Sequence, residues 1–166
     1  MSDDERIEEF YGGLFAIAYR VGYRILGEVT AAEDVAAEAV ARAVVHWPRL
    51  DDPARRPAWI AKVAANLAVD VVRKRARRAP EARPAASDHA DATALRIALA
   101  SALASLSSRQ REVVVLRYLA DLPEAQVASA LGLSLNTVKK HTARGIAALR
   151  ASLGPTWEET DLVADI

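Results

Sequence analysis

The chain contains 166 residues, no cysteine, and 22 Lys and Arg residues balanced by 22 Asp and Glu residues. The lack of cysteine excludes disulfides, thiolate metal sites and thiol redox chemistry. The start, MSDDERIEEF, is acidic, and no apolar run approaches the ~18 residues that span a membrane, so we expect a cytoplasmic protein without membrane insertion.

The neutral net charge conceals two basic blocks. Residues 41–80 hold ten Lys and Arg against three Asp, and residues 108–150 hold seven against three acidic residues. The first 40 residues and the last 16 are acidic. Two basic blocks separated by neutral sequence predict two separate contacts with a polyanion.

The first predicted helix covers residues 5–26. Its apolar positions recur at helical spacing, and Gly27 is a plausible stop. These positions are Phe10, Leu14, Ala18, Val21 and Ile25.

A second helix is predicted through the segment AAEDVAAEAVARAVVHW. Thr30 and Glu33 fit a capping box at its start, and Pro48 ends it. Glu33, Asp34 and Glu38 lie near one another on such a helix. From this spacing alone, a solvated acidic face and a protein-docking surface are equally good interpretations.

Residues 48–57, PRLDDPARRP, contain three prolines and predict a constrained loop. A third helix, PAWIAKVAANLAVDVVRKRARR, follows this loop. It contains Trp59, and a lone tryptophan on a helix more often lies in a core than on a binding surface. A stripe of polar residues on a helix is usually its solvated side, but here the stripe interrupts an apolar run and continues into positive charge. Its members are Lys62, Asn66, Asp70, Arg73 and Lys74.

Residues 79–93, APEARPAASDHADAT, are rich in alanine and proline and have no apolar period, which predicts a flexible linker. Leucines at helical spacing between Leu95 and Leu106 predict a fourth helix. Ser107 and Gln110 then predict a capping box for the next helix, which contains RQREVVVLRYL.

The segment from Pro123 to Arg150 predicts a helix-turn-helix. Proline suits the first position of a short helix, and Gly132 tolerates the left-handed turn that ends it. Ser134 is a suitable N-cap for the second helix, and Gly145 allows a close approach to a neighbouring helix. A short helix, a glycine turn and a cationic second helix is the arrangement whose second helix lies in the DNA major groove.

The outward face of that second helix carries the candidate DNA contacts. The simpler alternative is a helical hairpin with a solvated basic face, but capping, turn and charge together favour DNA binding. Amide and cationic side chains read base edges, and cations also hold phosphates. The base-edge candidates are Asn136, Thr137, Lys140 and Arg144, and the phosphate candidates are Lys139 and His141.

The acidic tail, residues 154–166, allows two interpretations. One is a frayed terminus. The other is an inhibitor that lies on the recognition helix of its own chain, with Trp157 as its anchor.

With these segments in this order, the chain resembles an extracytoplasmic-function sigma factor, a small two-domain subunit of bacterial RNA polymerase. AEDVAAEAV at 32–40 is similar to the family's polymerase-binding helix, and AWIAKVAANLAVDVVRK at 58–74 to the helix that engages the melted minus-ten element. Residues 106–150 are similar to the domain that reads the minus-thirty-five element. Response regulators carry a similar last module, so the first two segments favour the sigma factor.

The resemblance implies an all-α fold of two small helical domains. Residues 1–78 correspond to sigma region 2, 79–93 to the linker, 94–153 to sigma region 4, and 154–166 to an acidic tail. The implied partners are core RNA polymerase, through its β′ clamp helices and β flap, promoter DNA, and an anti-sigma factor. No cofactor, metal or catalytic residue is implied.

The resemblance also assigns roles to residues. Glu33, Asp34 and Glu38 match the surface that docks on the clamp helices. The loop Arg49–Arg56 matches the pocket for a flipped-out base, with Trp59 as a stacking support. The minus-ten candidates are Arg49, Arg55, Arg56, Trp59, Lys62, Asn66, Asp70, Arg73 and Lys74. The minus-thirty-five candidates are Asn136, Thr137, Lys139, Lys140, His141 and Arg144.

The predicted linker constrains the mechanism. Its 15 residues behave as a coil of about 19–23 Å, whereas promoter elements two helical turns apart are separated by ~70 Å. The two domains therefore need a larger scaffold to hold them apart. The flexibility of the linker also lets the free domains fold against each other.

Three alternatives remain open from the sequence. A regulator that binds duplex DNA without joining the polymerase would not need the acidic face at 33–38. A pure interaction module would tolerate substitution at 136–144. A nucleic-acid enzyme has little support, because His46, His89 and His141 lie far apart and no Walker loop, metal-ligand cluster or nucleophile motif is present.

Overall fold

The computed structural model describes residues 3–78 and 88–163, with side chains described for 11–78 and 91–163. Within these ranges the chain is helical and contains no strand, which confirms the all-α prediction. The helices are α1 (Asp3–Leu26), α2 (Val29–His46), α3 (Arg56–Arg78), α4 (Asp88–Ser105), α5 (Ser108–Val114), α6 (Glu124–Leu131) and α7 (Leu135–Leu153). Short 3₁₀ turns cover Trp47–Arg49, Pro53–Arg55 and Glu159–Leu162, and a π-helical segment, Val115–Leu119, extends α5.

Helices α1, α2 and α3 pack against one another and form the first half of the molecule. Leu14, Ala18, Val21 and Ile25 are buried as predicted, and the side chain of Phe10 lies outside the described residues. The buried faces of α2 and α3 consist largely of alanine, which lets the helices approach closely. These alanines are Ala31, Ala32, Ala36, Ala39 and Ala43 on α2 and Ala58, Ala61, Ala64, Ala65 and Ala68 on α3.

The predicted capping box at the start of α2 is wrong. The helix begins at Val29, so Thr30 lies inside it, and the N-cap position is Glu28, which makes no side-chain capping bond. The Glu28 carboxylate instead accepts a hydrogen bond from Arg75 Nη1 at 2.6 Å. Glu28 therefore pairs with Arg75 on α3 and does not cap its own helix.

The helix ends of the second half follow the sequence prediction closely. Ser107 and Gln110 form a complete capping box at α5, and Gly132 ends α6 with φ of 65°. Pro123 is the N-cap of α6 rather than its first helical residue. Gly145 on α7 lies so close to α5 that an added Cβ would be 2.7 Å from Val114 Cγ2.

Helix α4 begins at Asp88, so residues 88–93 of the predicted linker are helical. Alanine is the strongest helix former, and the alanines in this stretch extend the helix in spite of its missing apolar period. The remainder of the predicted linker, residues 79–87, lies outside the described residues.

The two halves are in contact. Helix α4 packs on α3 and α1, the π-helical segment packs on the same two helices, and α6 packs on the Pro53–Arg55 turn. The buried apolar side chains of both halves therefore form one continuous core. None of the described helices is long and apolar enough to cross a lipid bilayer.

Candidate nucleic-acid interface

Helix α7 presents its predicted base-reading residues to solvent. Asn136, Lys140 and Arg144 are exposed and follow one another at four-residue intervals on the outer face. Ser134 Oγ accepts a hydrogen bond from the Thr137 amide at 3.1 Å and forms a second, 2.8 Å bond with the Thr137 hydroxyl. The Thr137 hydroxyl therefore already has a hydrogen-bond partner in the N-cap of α7.

The opposite face of α7 is buried. Val138 and Leu149 are completely inaccessible to solvent, and Gly145 lies against Val114 of α5. Packing on this side fixes the rotation of the helix about its axis and therefore the direction of the exposed stripe. Of the two phosphate candidates, Lys139 is exposed and His141 is half-buried.

Several minus-ten candidates line one cavity of about 280 Å³. From the first half of the molecule, Arg49, Arg55, Trp59 and Lys62 contribute to its wall. Leu116 of the π-helical segment, together with Ala130 and Leu131 of α6, forms the other side. The Trp59 ring also stacks at a tilt on His46, with 5.7 Å between centroids.

Arg56, one of the predicted minus-ten contacts, is buried rather than exposed. It is only 6% exposed, its guanidinium lies 4.3 Å from the centre of the Trp47 ring, and its Nε donates to the Leu50 carbonyl at 2.8 Å. A buried cation held by an aromatic face and a carbonyl stabilises the loop that carries Arg49 and Arg55. Trp47 was not identified from the sequence as a partner of Arg56.

Lys62 forms an ion pair with Glu112 of α5, a partner that the sequence did not indicate. Glu112 also accepts a hydrogen bond from Arg109 at 2.9 Å. Burial alone would raise the pKa of the Glu112 carboxyl, but the two cations outweigh burial and lower this pKa below its ordinary 4.5. The remaining minus-ten candidates, Asn66, Asp70, Arg73 and Lys74, are exposed along α3.

The acidic face of α2 is exposed at Glu33, Asp34 and Glu38. Glu38 accepts a hydrogen bond from Arg42 at 2.8 Å. Asp34 and Glu38 border a shallow groove between α2 and α3 whose floor includes Leu67 and Val71. The sequence indicated the carboxylates, whereas the apolar groove beside them depends on how α2 and α3 pack.

Comparisons with known proteins match both halves of the chain. Residues 7–78 match the family model described as Sigma-70 region 2, and residues 96–149 match Sigma-70, region 4. The chain is 33% identical over 149 residues to the ECF RNA polymerase sigma factor SigL of Mycobacterium tuberculosis, with 83% of each chain covered. It belongs to the extracytoplasmic-function sigma factors.

Further similarities agree with this membership. The sigma factor is 30% identical over 156 residues to ECF RNA polymerase sigma factor SigW of Bacillus subtilis, covering 81% of this chain and 82% of that relative. The solved structure of CnrH in complex with the cytosolic domain of CnrY is similar with a TM-score of 0.52 and 26% identity, covering 90% and 91% of the two chains.

Membership confirms the prediction that this chain directs bacterial RNA polymerase to promoters. The regulator that does not join the polymerase is set aside, because such a protein does not require region 2. Sigma factors as a family are initiation factors rather than enzymes.

The tail of the sigma factor packs on its own domain as far as the structure describes it. Trp157 and Leu162 are 5% and 1% exposed, so a frayed terminus is wrong for residues 154–163. Tyr118 Oη donates to Glu159 at 3.4 Å, and burial, followed by the Glu159 charge, raises the pKa of Tyr118. Glu159 borders a groove on the flank of α7 and leaves the stripe at 136–144 exposed.

Proposed function

We propose that this sigma factor reads the minus-thirty-five element with the outer face of α7. The observation that carries this proposal is the exposed row of Asn136, Lys140 and Arg144 on a helix whose other face is buried. An asparagine amide can pair with adenine, and Lys or Arg can pair with guanine in the major groove. Lys139 and His141, at the edges of the row, then contact phosphates.

The first half of the chain captures minus-ten bases that have already left the duplex. Arg49, Arg55, Trp59 and Lys62 line the wall that the first half contributes to the cavity, and when the second half is held away this wall offers an unstacked base cations for its phosphate and an aromatic ring for stacking. Asn66, Asp70, Arg73 and Lys74 continue the surface along α3 toward the non-template strand. Unstacking costs a few kcal/mol per base, and stacking returns about 1–3 kcal/mol, so this surface alone does not melt DNA.

Core RNA polymerase is the scaffold on which both halves of the sigma factor dock. Glu33, Asp34 and Glu38, with the apolar groove beside them, form a docking surface for the β′ clamp helices, and the second half docks on the β flap. Core polymerase can then hold the two DNA-reading surfaces apart at the spacing of the promoter elements. An anti-sigma factor is the expected inhibitor, and we expect this work to take place in the cytoplasm.

The test is to mix the protein with core polymerase and genomic DNA fragments and to map new transcription starts. Asp34→Lys should weaken association with core polymerase, and Asn136→Ala should abolish starts without weakening that association. The matched control Asp91→Lys reverses the charge of another exposed helical aspartate and should change neither result. Unchanged polymerase association in Asp34→Lys, together with tight duplex binding by the free protein, would reject the assignment.

A further inference from the structure

Two buried side chains fix the acidic tail to the domain that carries α7. Helix α7 ends at Gly154, and Trp157 and Leu162 of the tail are buried. Glu158 and Asp161 form a capping box around the 3₁₀ turn of the tail, in which Asp161 Oδ2 accepts a hydrogen bond from the Glu158 amide at 2.8 Å. The carboxylates of the tail are therefore held in place rather than carried on a loose end.

The carboxylate of Glu159 lies beside one flank of α7. It borders a groove of about 330 Å³ whose lining also includes Lys139, Ala143 and Arg150. These three residues follow one another at intervals of four and seven positions, which places them on one side of a helix. Lys139 and Arg150 are exposed, and within the described part of the chain neither forms a salt bridge. Two cations that can bind phosphate thus share a groove with an acidic side chain.

This flank is longer than the DNA groove that α7 reads. Lys139 and Arg150 are eleven residues apart, which is about 16 Å along a helix. The major groove of DNA is about 12 Å wide. When the stripe of Asn136, Lys140 and Arg144 lies in that groove, the far end of the flank therefore approaches a phosphate backbone.

A carboxylate at the far end of the flank opposes a phosphate contact by Arg150. It repels the phosphate and attracts the guanidinium that would bind it. Exposed charges interact over about 10 Å at an ionic strength of 0.1 M, and Glu159 and Arg150 line one small groove. Glu158 and Asp161, on the same turn as Glu159, add to the negative charge.

We propose that the tail is a charge barrier that keeps DNA phosphates away from Arg150 and so limits sequence-independent binding by α7. This inference rests on the proposed function of α7 as the reader of the minus-thirty-five element. The stripe at 136–144 is exposed beside the tail, so the barrier does not reduce contacts with base edges. Weak sequence-independent binding matters because a genome offers about 10⁶–10⁹ competing sites.

The release of counterions from DNA sets the size of the effect. Each phosphate contact makes the plot of log K against log salt concentration steeper by about 0.9. Such contacts contribute little at 1 M salt. An Arg150 contact that is no longer blocked should therefore strengthen duplex binding up to about fifteenfold at 50 mM salt and about fourfold at 200 mM.

The experiment measures binding of the free protein to a fluorescent duplex of mixed sequence over a range of salt concentrations. The tail variant is Glu158→Gln, Glu159→Gln and Asp161→Asn. The amide side chains keep a carbonyl oxygen that can accept the hydrogen bonds from Tyr118 and from the main chain of the turn. The substitutions therefore change the charge of the tail and retain its hydrogen bonds.

The matched control removes the same number of negative charges from α1, in the other half of the chain. It is Asp4→Asn, Glu8→Gln and Glu9→Gln. Both variants are also made with Arg150→Gln, which completes a double-mutant cycle between the tail and this arginine. Circular dichroism and urea denaturation compare the fold of all variants, and Glu159→Gln alone should give a smaller gain in the same direction if the triple substitution destabilises the domain.

The tail variant should bind the duplex more tightly than the control, with a salt dependence steeper by about 0.9. This gain should disappear with Arg150→Gln. In the unsubstituted chain, where the tail already blocks the contact, Arg150→Gln should change duplex affinity less than twofold. Equal affinity of the tail variant and the control, or a gain that persists with Arg150→Gln, would overturn the barrier.

The duplex contains no promoter and the assay contains no polymerase, so its outcome is separate from that of the proposed function. Mapped transcription starts that do not depend on Asn136 would reject the minus-thirty-five assignment, even if the tail variant gains binding through Arg150. Starts that depend on Asn136, together with no gain in the tail variant, would reject only the barrier.

Discussion

The close approach of α7 to α5 at Gly145 predicts the effect of a single added methyl group. In Gly145→Ala, the new Cβ would stand 2.7 Å from Val114 Cγ2 and 3.6 Å from the carbonyl oxygen of Gln110. Carbon atoms are in favourable contact at about 3.5–4.0 Å, so the overlap is about 1 Å. Val114 is completely buried and cannot turn its methyl group into solvent.

Two opposing contributions set the magnitude. Forcing a methyl group into a packed core costs about 1–3 kcal/mol, whereas replacing glycine by alanine inside a helix gains about 1 kcal/mol. Gly13→Ala isolates the second contribution, because Gly13 is exposed inside α1 and no heavy atom of the described residues lies within 4 Å of its added Cβ. We expect Gly145→Ala to be less stable than Gly13→Ala by about 1–3 kcal/mol.

Thermal unfolding followed by circular dichroism measures this difference. For a chain of this length, the expected gap corresponds to roughly 2–12 °C in Tm. Gly145→Ala should also reduce transcription that depends on the minus-thirty-five element, since a displaced α7 no longer presents its stripe at the same angle. Equal Tm values for the two alanine variants would refute the tight contact between α5 and α7.

Three further predictions follow from buried or paired groups. Arg56→Ala should lower the free energy of unfolding by about 2–4 kcal/mol, because it removes a charge-assisted hydrogen bond and a cation–π contact. Arg55 is exposed, so Arg55→Ala should change this free energy by less than about 0.5 kcal/mol. Urea denaturation of the two variants measures the difference. Trp157→Ala should cost about 3–5 kcal/mol in the same assay, and a loss below about 0.5 kcal/mol would show that the tail does not pack in solution. Because the folded-state pKa of Glu112 is lowered, its pair with Lys62 stabilises the fold above the ordinary pKa of 4.5, and this contribution is lost as pH falls through the lower folded value. The free energy of unfolding measured with urea should therefore fall more steeply below pH 4.5 in the unsubstituted chain than in Glu112→Gln.

Local patterns in the sequence were sufficient for the helix-turn-helix. Gly132 adopts the predicted left-handed conformation, Ser134 caps the predicted helix, and Asn136, Lys140 and Arg144 face outward as their spacing indicated. Each of these features depends on residues within one or two turns of one another. The period of a helix relates such residues directly, so no knowledge of distant contacts is needed.

The same reasoning was inaccurate where a distant residue decides the outcome. Arg56 belongs to a basic loop in the sequence, yet it is buried because the Trp47 ring and the Leu50 carbonyl receive its guanidinium. The expected cap of α2 did not form, and its N-cap residue, Glu28, instead pairs with a cation 47 residues away. A count of charged residues along the sequence does not distinguish such buried or paired charges from solvent-exposed ones.

The composition, the helical periods and the order of motifs determine an all-α chain with two basic segments. They do not determine how the two halves lie against each other. That arrangement depends on pairs such as Lys62 with Glu112, 50 residues apart, and Arg24 with the carbonyl of Tyr118, 94 residues apart. Such pairs form only when packing brings separate helix faces together, and no periodicity along one helix records the position of another.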